Sequence, residues 1–511
     1  MQLTVPHRTV ADTGSFPVNP EGVAHWLAEL NPLGSEADAR KVYSGLKHSN
    51  RLHNDVDQRR SVISCFIPVL RDLHRQLNEL SDAQPLPLTR EFSRHARLRD
   101  SLLREEAFAF KILLSDSKKP LADDARRAMQ ALARQAEAVV HGFRVFPDAL
   151  IEDAHQLYAL AEEHKLLSSQ QGSELLSLQD HYRFILLLSV ADLSQQRPRQ
   201  LPLVLEFLRG AVADIHIERQ RPPRTAGNTD FAIDLRQGSR PEPSASVLSA
   251  NQDDVRWFSI APVLYRINQI SGNIAIASDA SPGKDTLERQ SLARLHVAMA
   301  RSRHRRLARQ ITKQPKRVVL GHKEICAYLL HRPTEIPADH ESNWVVTNET
   351  LHGVQLHSPA CRAGLVQVGE LISVTANDKA LLSPQTSQSN KIEALMGVIR
   401  WVRATSGEGI TIGVEFLART VLPVHVTRDT QLEEEAKAWQ HSMGEVSENA
   451  VIIACKFQNT VLQTMLLPPY LYQEGDKFIA AQSGRTRKVQ LHKCLQSNGL
   501  FSQYSLIDAP E

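Results

Sequence analysis

The chain has 511 residues, 42% of them hydrophobic and 23% charged, with a formal net charge of +3 at pH 7. That length predicts about two to four domains, and the balance excludes a wholly disordered chain and a globally basic nucleic-acid coat. Five cysteines, Cys65, Cys326, Cys361, Cys455 and Cys494, stand far apart and form no CxxC pair. This argues against a zinc ribbon or a disulfide framework and fits a reducing cytoplasm. The start, MQLTVPHRTVADTG, has no basic flank followed by an apolar core, so no signal peptide is expected. The most apolar run, Phe184–Ala191, falls far short of the ~20 residues of a membrane span.

Residues 1–34 are rich in Pro, Gly and small polar residues and predict a loop segment with room for one short helix. From 35 to 215 the period is helical. Val62, Phe66, Val69, Leu70, Leu73, Leu77 and Leu80 recur at three- and four-residue spacing, on one helix face that Pro68 should kink. Further helices are expected near 89–115, 121–144, 149–168, 172–195 and 200–213, with no repeat of solenoid length. Together they predict an irregular all-helical domain, read as a platform for a protein partner. Residues 216–255, rich in Pro, Gly, Ser and Arg, predict a linker, with Phe231–Leu235 as a short strand inside it. A helical connector is expected over 256–312, with helices at about 257–271 and 285–309.

After about 317 the period becomes two. Ile410, Ile412, Val414 and Phe416 alternate with Thr411, Gly413 and Glu415, and Val398–Val402 is similarly strand-like. A small barrel is expected over 313–427. Residues 428–511 predict a helix at 431–441 and then strands at 450–457, 460–467, 477–481 and 487–490. The fold class is therefore α+β and multidomain: a helical N-terminal half, a barrel and a β-rich C-terminal extension.

Two features stand together at the start of the barrel. Between Arg289 and Arg317 there are ten Lys or Arg residues and no Asp or Glu, with Arg301-x-x-x-Arg305 and Arg305-x-x-x-Arg309 in register. Then comes Asn348-Glu-Thr350-Leu-His-Gly353, followed by Gly397-Val-Ile-Arg-Trp401 and Ile412-Gly413-Val-Glu-Phe416. In this order, RxxxR, [DN]xSxxG, G-x-[VI]-x-W and [IL]-G-[VI]-x-F resemble the PilZ domain over about 301–427. Thr350 stands where the family usually has Ser, and Asn348 where it often has Asp.

The resemblance implies a six-stranded antiparallel barrel and a cyclic di-GMP ligand, with no catalytic role. By matching position it makes Arg305 and Arg309 the phosphate and base clamps and Asn348, Thr350 and Gly353 the opposite wall. Arg301, Lys313 and Arg317 are lesser candidates. The chemistry is apt on its own terms. Guanidinium groups bind phosphodiesters bidentately and match the O6/N7 edge of guanine. Asn348 can bond a guanine edge and Thr350 a phosphate, while Gly353 can supply a positive φ or let the ligand approach the backbone. Trp401 is expected in core or rim packing, not as a stacking platform. The family further implies a role in surface behaviour, such as type IV pili and attachment, motility or biofilm. It would act through pilus or motility machinery, with recruitment to a membrane-associated machine at the cell pole. A ligand-driven change in domain arrangement would carry the signal.

Two alternatives share the same residues. The basic 289–317 helix could track nucleic acid, or a degenerate barrel could serve as a ligand-free scaffold. Ser281-Pro-Gly-Lys-Asp-Thr286 lacks the first Gly and the final Ser or Thr of a phosphate loop and reads as a turn opening a helix. There is no GxSxG and no HExxH, so no enzyme and no metal are expected. Glu152-Asp153-Ala-His155 and Glu162-Glu163-His164 read as surface salt-bridge chemistry.

Overall fold

Helices form where the apolar stripes recur at helical spacing. In a computed structural model they are α1 (Pro20–Ala28), α2 (Glu36–Arg51), α3 (Val56–Ser81), α4 (Arg90–Asp116), α5 (Ala122–His141), α6 (Asp148–Glu163), α7 (Leu178–Val190) and α8 (Leu201–Gly210). The structure describes residues 3–9, 16–81, 84, 86–167, 176–221, 229–246, 253–271, 284–300, 311, 313–331, 344–362, 364–376, 392–405, 409–428, 447–457, 460–482 and 485–509. They divide into a helical unit and a strand-rich unit.

In the helical unit, α3 runs through Pro68 without interruption. Ser35, Thr89 and Ser177 accept backbone N–H bonds at the starts of α2, α4 and α7, satisfying donors that a helix start leaves unpaired. The alanines of α5, including Ala125, Ala128, Ala131 and Ala136, are fully buried. Small side chains there let α4 and α7 pack closely on α5.

The stretch expected as linker is partly folded. β1 (Asp230–Asp234), β2 (Glu242–Pro243) and β3 (Val255–Ser259) form an antiparallel sheet in the order β2-β1-β3. Phe231 and Phe258 stack at 5.4 Å across it. The helix expected from 257 begins instead after this strand, as α9 (Ala261–Ser271), and α10 follows at Lys284–Ala300. Phe231, Trp257 and Phe258 are buried, and burial of β-forming residues favours a strand here over a helix.

The EDAH and EEH motifs are not surface features throughout. Asp153 pairs at 2.5 Å with Lys111, whose side chain is fully buried. His155 Nδ1 lies 2.8 Å from the Tyr182 hydroxyl and its Nε2 3.1 Å from Ser239 O. Burial lowers the His155 pKa to about 4. Glu162 pairs with Arg256 and Arg219.

The strand-rich unit contains β4 (Pro315–Leu320), α11 (His322–His331), β5 (Trp344–Thr350), β6 (Gly353–Ser358), β7 (Leu371–Ala376), β8 (Ile392–Ala404) and β9 (Ile410–Arg428), then β10 (Ser447–Phe457), β11 (Thr460–Leu467), β12 (Lys477–Gln482), β13 (Arg485–Ser497) and β14 (Ser502–Asp508). The strands close twice. The circuit β4-β5-β6-β9-β8-β7 returns to β4, all antiparallel, giving the six-stranded barrel. A second circuit, β9-β10-β11-β14-β13-β12, returns to β9. The C-terminal extension is thus itself a closed barrel. β9, with 19 residues, belongs to both barrels: its first half pairs with β6 and its second with β12. Closure removes the exposed edges that isolated strands would present.

Val424, Val426, Ile452, Met465, Phe478 and Leu491 pack inside the second barrel. A separate cluster joins Ile325 and Leu329 of α11 to Met396, Val421, Ile453 and Phe501, so α11 and both barrels share one core. Of the remaining expectations, the helix at 431–441 lies outside the described residues. The expected helix at 285–309 is described only to Ala300.

Candidate functional site

Asn348, Thr350 and Gly353 come together on the β5–β6 hairpin. Its inner row is apolar: Val346 pairs with Leu356, Leu356 with Ile412, and Ile412 with Val402, and all four are buried. The adjacent row is the candidate surface. Asn348 pairs with Gln355, Gln355 with Gly413, and Gly413 with Trp401.

Two irregularities create this row. Strict alternation would put Asn348 on the same side as buried Val346, and Trp401 on the same side as buried Ile399. The register shifts between Val346 and Asn348, and again between Ile399 and Trp401. Each β-bulge inserts one residue, Thr347 or Arg400, and re-aims the next side chain outward. Asn348 and Trp401 consequently occupy one outer row across four strands.

Local contacts fix the row. Asn348 Nδ2 donates to Gln355 Oε1 at 2.6 Å. The Trp401 indole covers Gly413, where a Cβ would collide with the ring, and the Arg403 guanidinium lies 4.9 Å above the indole. Half-buried Trp401 is therefore rim, not barrel core. Arg400 pairs with Glu415 at 2.6 Å.

The Thr350 hydroxyl serves the hairpin itself. It donates to Gly353 O at 3.2 Å and accepts from His352 N at 3.3 Å, a local bond pattern typical of Thr at turns. Gly353 does not have a positive φ. A Cβ at this position would overlap the Val414 carbonyl oxygen on β9, well inside the 3.4 Å of ordinary contact. Glycine is needed for close approach of β6 to β9, not for turn conformation.

Lys313 is exposed and Arg317 half-buried. Arg317 pairs with Thr375 of β7, and Gln314 O accepts from Val346 N, so this segment runs beside the strand that carries Asn348. Arg301, Arg305 and Arg309 lie outside the described residues. Among the described residues no group of three His, Cys, Asp or Glu side chains could hold a metal ion, and no helix is long and apolar enough to cross a membrane. Gln355 and Arg403 were not singled out from sequence. The signal for Gln355 was available, because period two from Gly353 puts 353, 355 and 357 on one face.

Comparison with known proteins bears on both ends of the chain. The N-terminal domain of the cyclic-di-GMP receptor FimW matches residues 21–223, and the FimW C-terminal β-barrel domain matches residues 460–507. The second match falls within the second barrel. The cyclic-di-GMP receptor FimW of Pseudomonas aeruginosa PAO1 is 24% identical over 222 residues, which are 41% of this chain and 37% of that protein. The alignment thus spans little more than a third of the relative's length. No solved structure matches the chain. The Asn348–Gly353 hairpin lies between the two matched regions. With a FimW domain matched at each end and a FimW relative besides, the chain is FimW-like.

Proposed function

We propose that this chain is a cyclic di-GMP receptor linked to type IV pili, and that it takes the ligand on the outer row of the first barrel. The observation that carries the assignment is the pair of bulges that turn Asn348 and Trp401 out of the core into one row with Gln355. Bulges of this kind re-aim side chains beside functional sites. The row offers amide donors and acceptors from Asn348 and Gln355 to a guanine edge. It also offers the Arg403 guanidinium, backed by the Trp401 indole, as a flat, cationic face for a purine.

Arg305 and Arg309 supply the guanidinium forks for the phosphates and the O6/N7 edge, with Arg301, Lys313 and Arg317 at the periphery. The arginines precede β4 directly, so the ligand draws the 301–310 segment against the hairpin wall. This changes the arrangement of the helical and barrel units and presents a partner surface on the helical unit. The ligand can bias that arrangement only by its differential affinity for the two states. No step of this function is catalytic.

Competition dialysis with labelled cyclic di-GMP against cyclic di-AMP, GTP and poly(U) tests the ligand. Displacement by unlabelled cyclic di-GMP alone supports the receptor. Displacement by poly(U) with steep salt dependence would instead make the basic segment a nucleic-acid stripe. Small-angle scattering and hydrogen exchange at saturating ligand test the switch, which fails if neither profile changes.

A further inference from the structure

In the helical unit, α3 and α5 face each other across a groove of about 300 Å³ floored by Leu103 and Ala138. The groove is lined on α3 by Arg71, His74, Arg75 and Asn78, and on α5 by Arg134, Glu137, Ala138 and His141. Both sets follow i, i+3, i+4, i+7. That spacing defines one face of each helix, and the two helices flank α4, on which both pack. Here both faces are polar, with Arg71 and Arg75 on α3 and Arg134 beside Glu137 on α5.

The carboxylates nearby are largely committed elsewhere. Glu106 lies 2.9 Å from His74 Nε2, and Glu137 pairs with Arg209 and His141. Burial would raise the Glu106 carboxyl, but the His74 hydrogen bond and the charges of His74, Arg134 and Arg127 hold it below its usual range. Burial would likewise raise Glu137, and its contacts with His141 and Arg209 outweigh that. Both are therefore anionic, with Glu106 hydrogen-bonded to His74 and Glu137 paired with Arg209. Arg71 and Arg75 share a single carboxylate, Asp72, at 3.7 and 3.3 Å. The nearest carboxylate oxygen to Arg134 is Glu106 Oε1 at 3.7 Å, too long for a hydrogen bond. Burial, followed by the charges of Arg126, Arg134 and Arg209, lowers the pKa of His181 on α7 to about 4.

We propose that this groove is a phosphate site, in which Arg71, Arg75 and Arg134 hold the oxyanion of a small phosphorylated ligand. Guanidinium forks reaching from two sides match a tetrahedral oxyanion better than a planar carboxylate can satisfy them. The volume exceeds that of inorganic phosphate, and the Leu103–Ala138 floor would take the apolar body of the ligand. This site is separate from the barrel row and does not depend on it.

Equilibrium dialysis of the full chain with radiolabelled inorganic phosphate, in chloride buffer of constant ionic strength, tests it. Saturable binding is expected, weaker by about tenfold or more in Arg75→Ala/Arg134→Ala and in the surface variant Arg71→Ala. Arg75→Lys/Arg134→Lys should weaken it partly, because lysine keeps the charge without the fork. Asn348→Ala should leave it unchanged. The proposal is overturned if the wild-type chain shows no saturable binding. It is overturned equally if the Arg75→Ala/Arg134→Ala variant, folded by circular dichroism, binds as well as wild type, or if Asn348→Ala alone abolishes binding.

Discussion

Gly353→Ala separates two reasons for a glycine. The new methyl group would overlap the Val414 carbonyl oxygen, a backbone atom that cannot swing aside. Restoring ordinary contact moves β6 and β9 apart by about 1 Å, and a packed interior absorbs such shifts poorly. The neighbouring bond from Phe416 N to His352 O, 2.8 Å long, lies beside that pair and would stretch with it. Overpacking costs about 1–3 kcal/mol and a weakened ladder bond about 1 kcal/mol more. The expected loss is therefore ~2–4 kcal/mol for the barrel unit. Gly475 provides the contrast: its φ is +95° and nothing lies within 4 Å of its Cβ position. Gly475→Ala should cost only the left-handed penalty of about 1–2 kcal/mol, and Gly475→Asn less, because Asn tolerates that region. Gly353→Asn should be no better than Gly353→Ala. Urea unfolding followed by the tryptophan fluorescence of the barrel unit measures all four. A cost below about 0.5 kcal/mol for Gly353→Ala, or rescue by Asn at 353, would refute the close-approach argument.

Three further outcomes follow from buried groups and the outer row. His155 and His181 have folded pKa values of about 4 against the ordinary 6.5, so below pH 6.5 the unfolded chain binds the protons. Stability should fall as pH drops through that window, by about 2 kcal/mol per histidine between pH 7.5 and 5. Urea midpoints at the two pH values should show a shallower dependence in His155→Gln and in His181→Gln, and an unchanged slope would contradict it. Lys111→Met strands the Asp153 carboxylate and should cost about 3–5 kcal/mol, whereas Lys111→Met/Asp153→Leu should recover most of it; equal thermal midpoints for the two variants would count against a buried ion pair. Gly413→Ala collides with the Trp401 indole, so it should be costly alone and nearly neutral in a Trp401→Ala background. The coupling in a double-mutant cycle should be about 1–3 kcal/mol, and additivity would place Trp401 elsewhere.

The helical half was legible because each helix carries its own stripe. The expected segment at 89–115 became Arg90–Asp116, and that at 121–144 became Ala122–His141. Periodicity failed where structure depends on distant pairing. β3 reads as the start of a helix because Val255–Ser259 is short and runs directly into α9, and only pairing with β1 makes it a strand. α11 is brief and lies between strands. β14 has little alternation, since Ser502, Gln503, Tyr504 and Ser505 are all buried. The second closure was invisible because it depends on β9 continuing past the first barrel, through Pro423, to pair with β10 and β12. The hairpin residues were found from the motif that the chain shares with the PilZ domain. Their shared outer row with Trp401 was not, because it arises from two bulges, and a bulge leaves no periodic signal in one sequence.

Calorimetric titration with cyclic di-GMP of the wild-type chain beside Asn348→Ala and Arg305→Ala/Arg309→Ala tests the central claim most directly. The outer-row site predicts saturable binding to the wild type, weakened by about 1–3 kcal/mol without Asn348 and lost without the two arginines. Equal affinity in all three chains, or no heat with any of them, would contradict it.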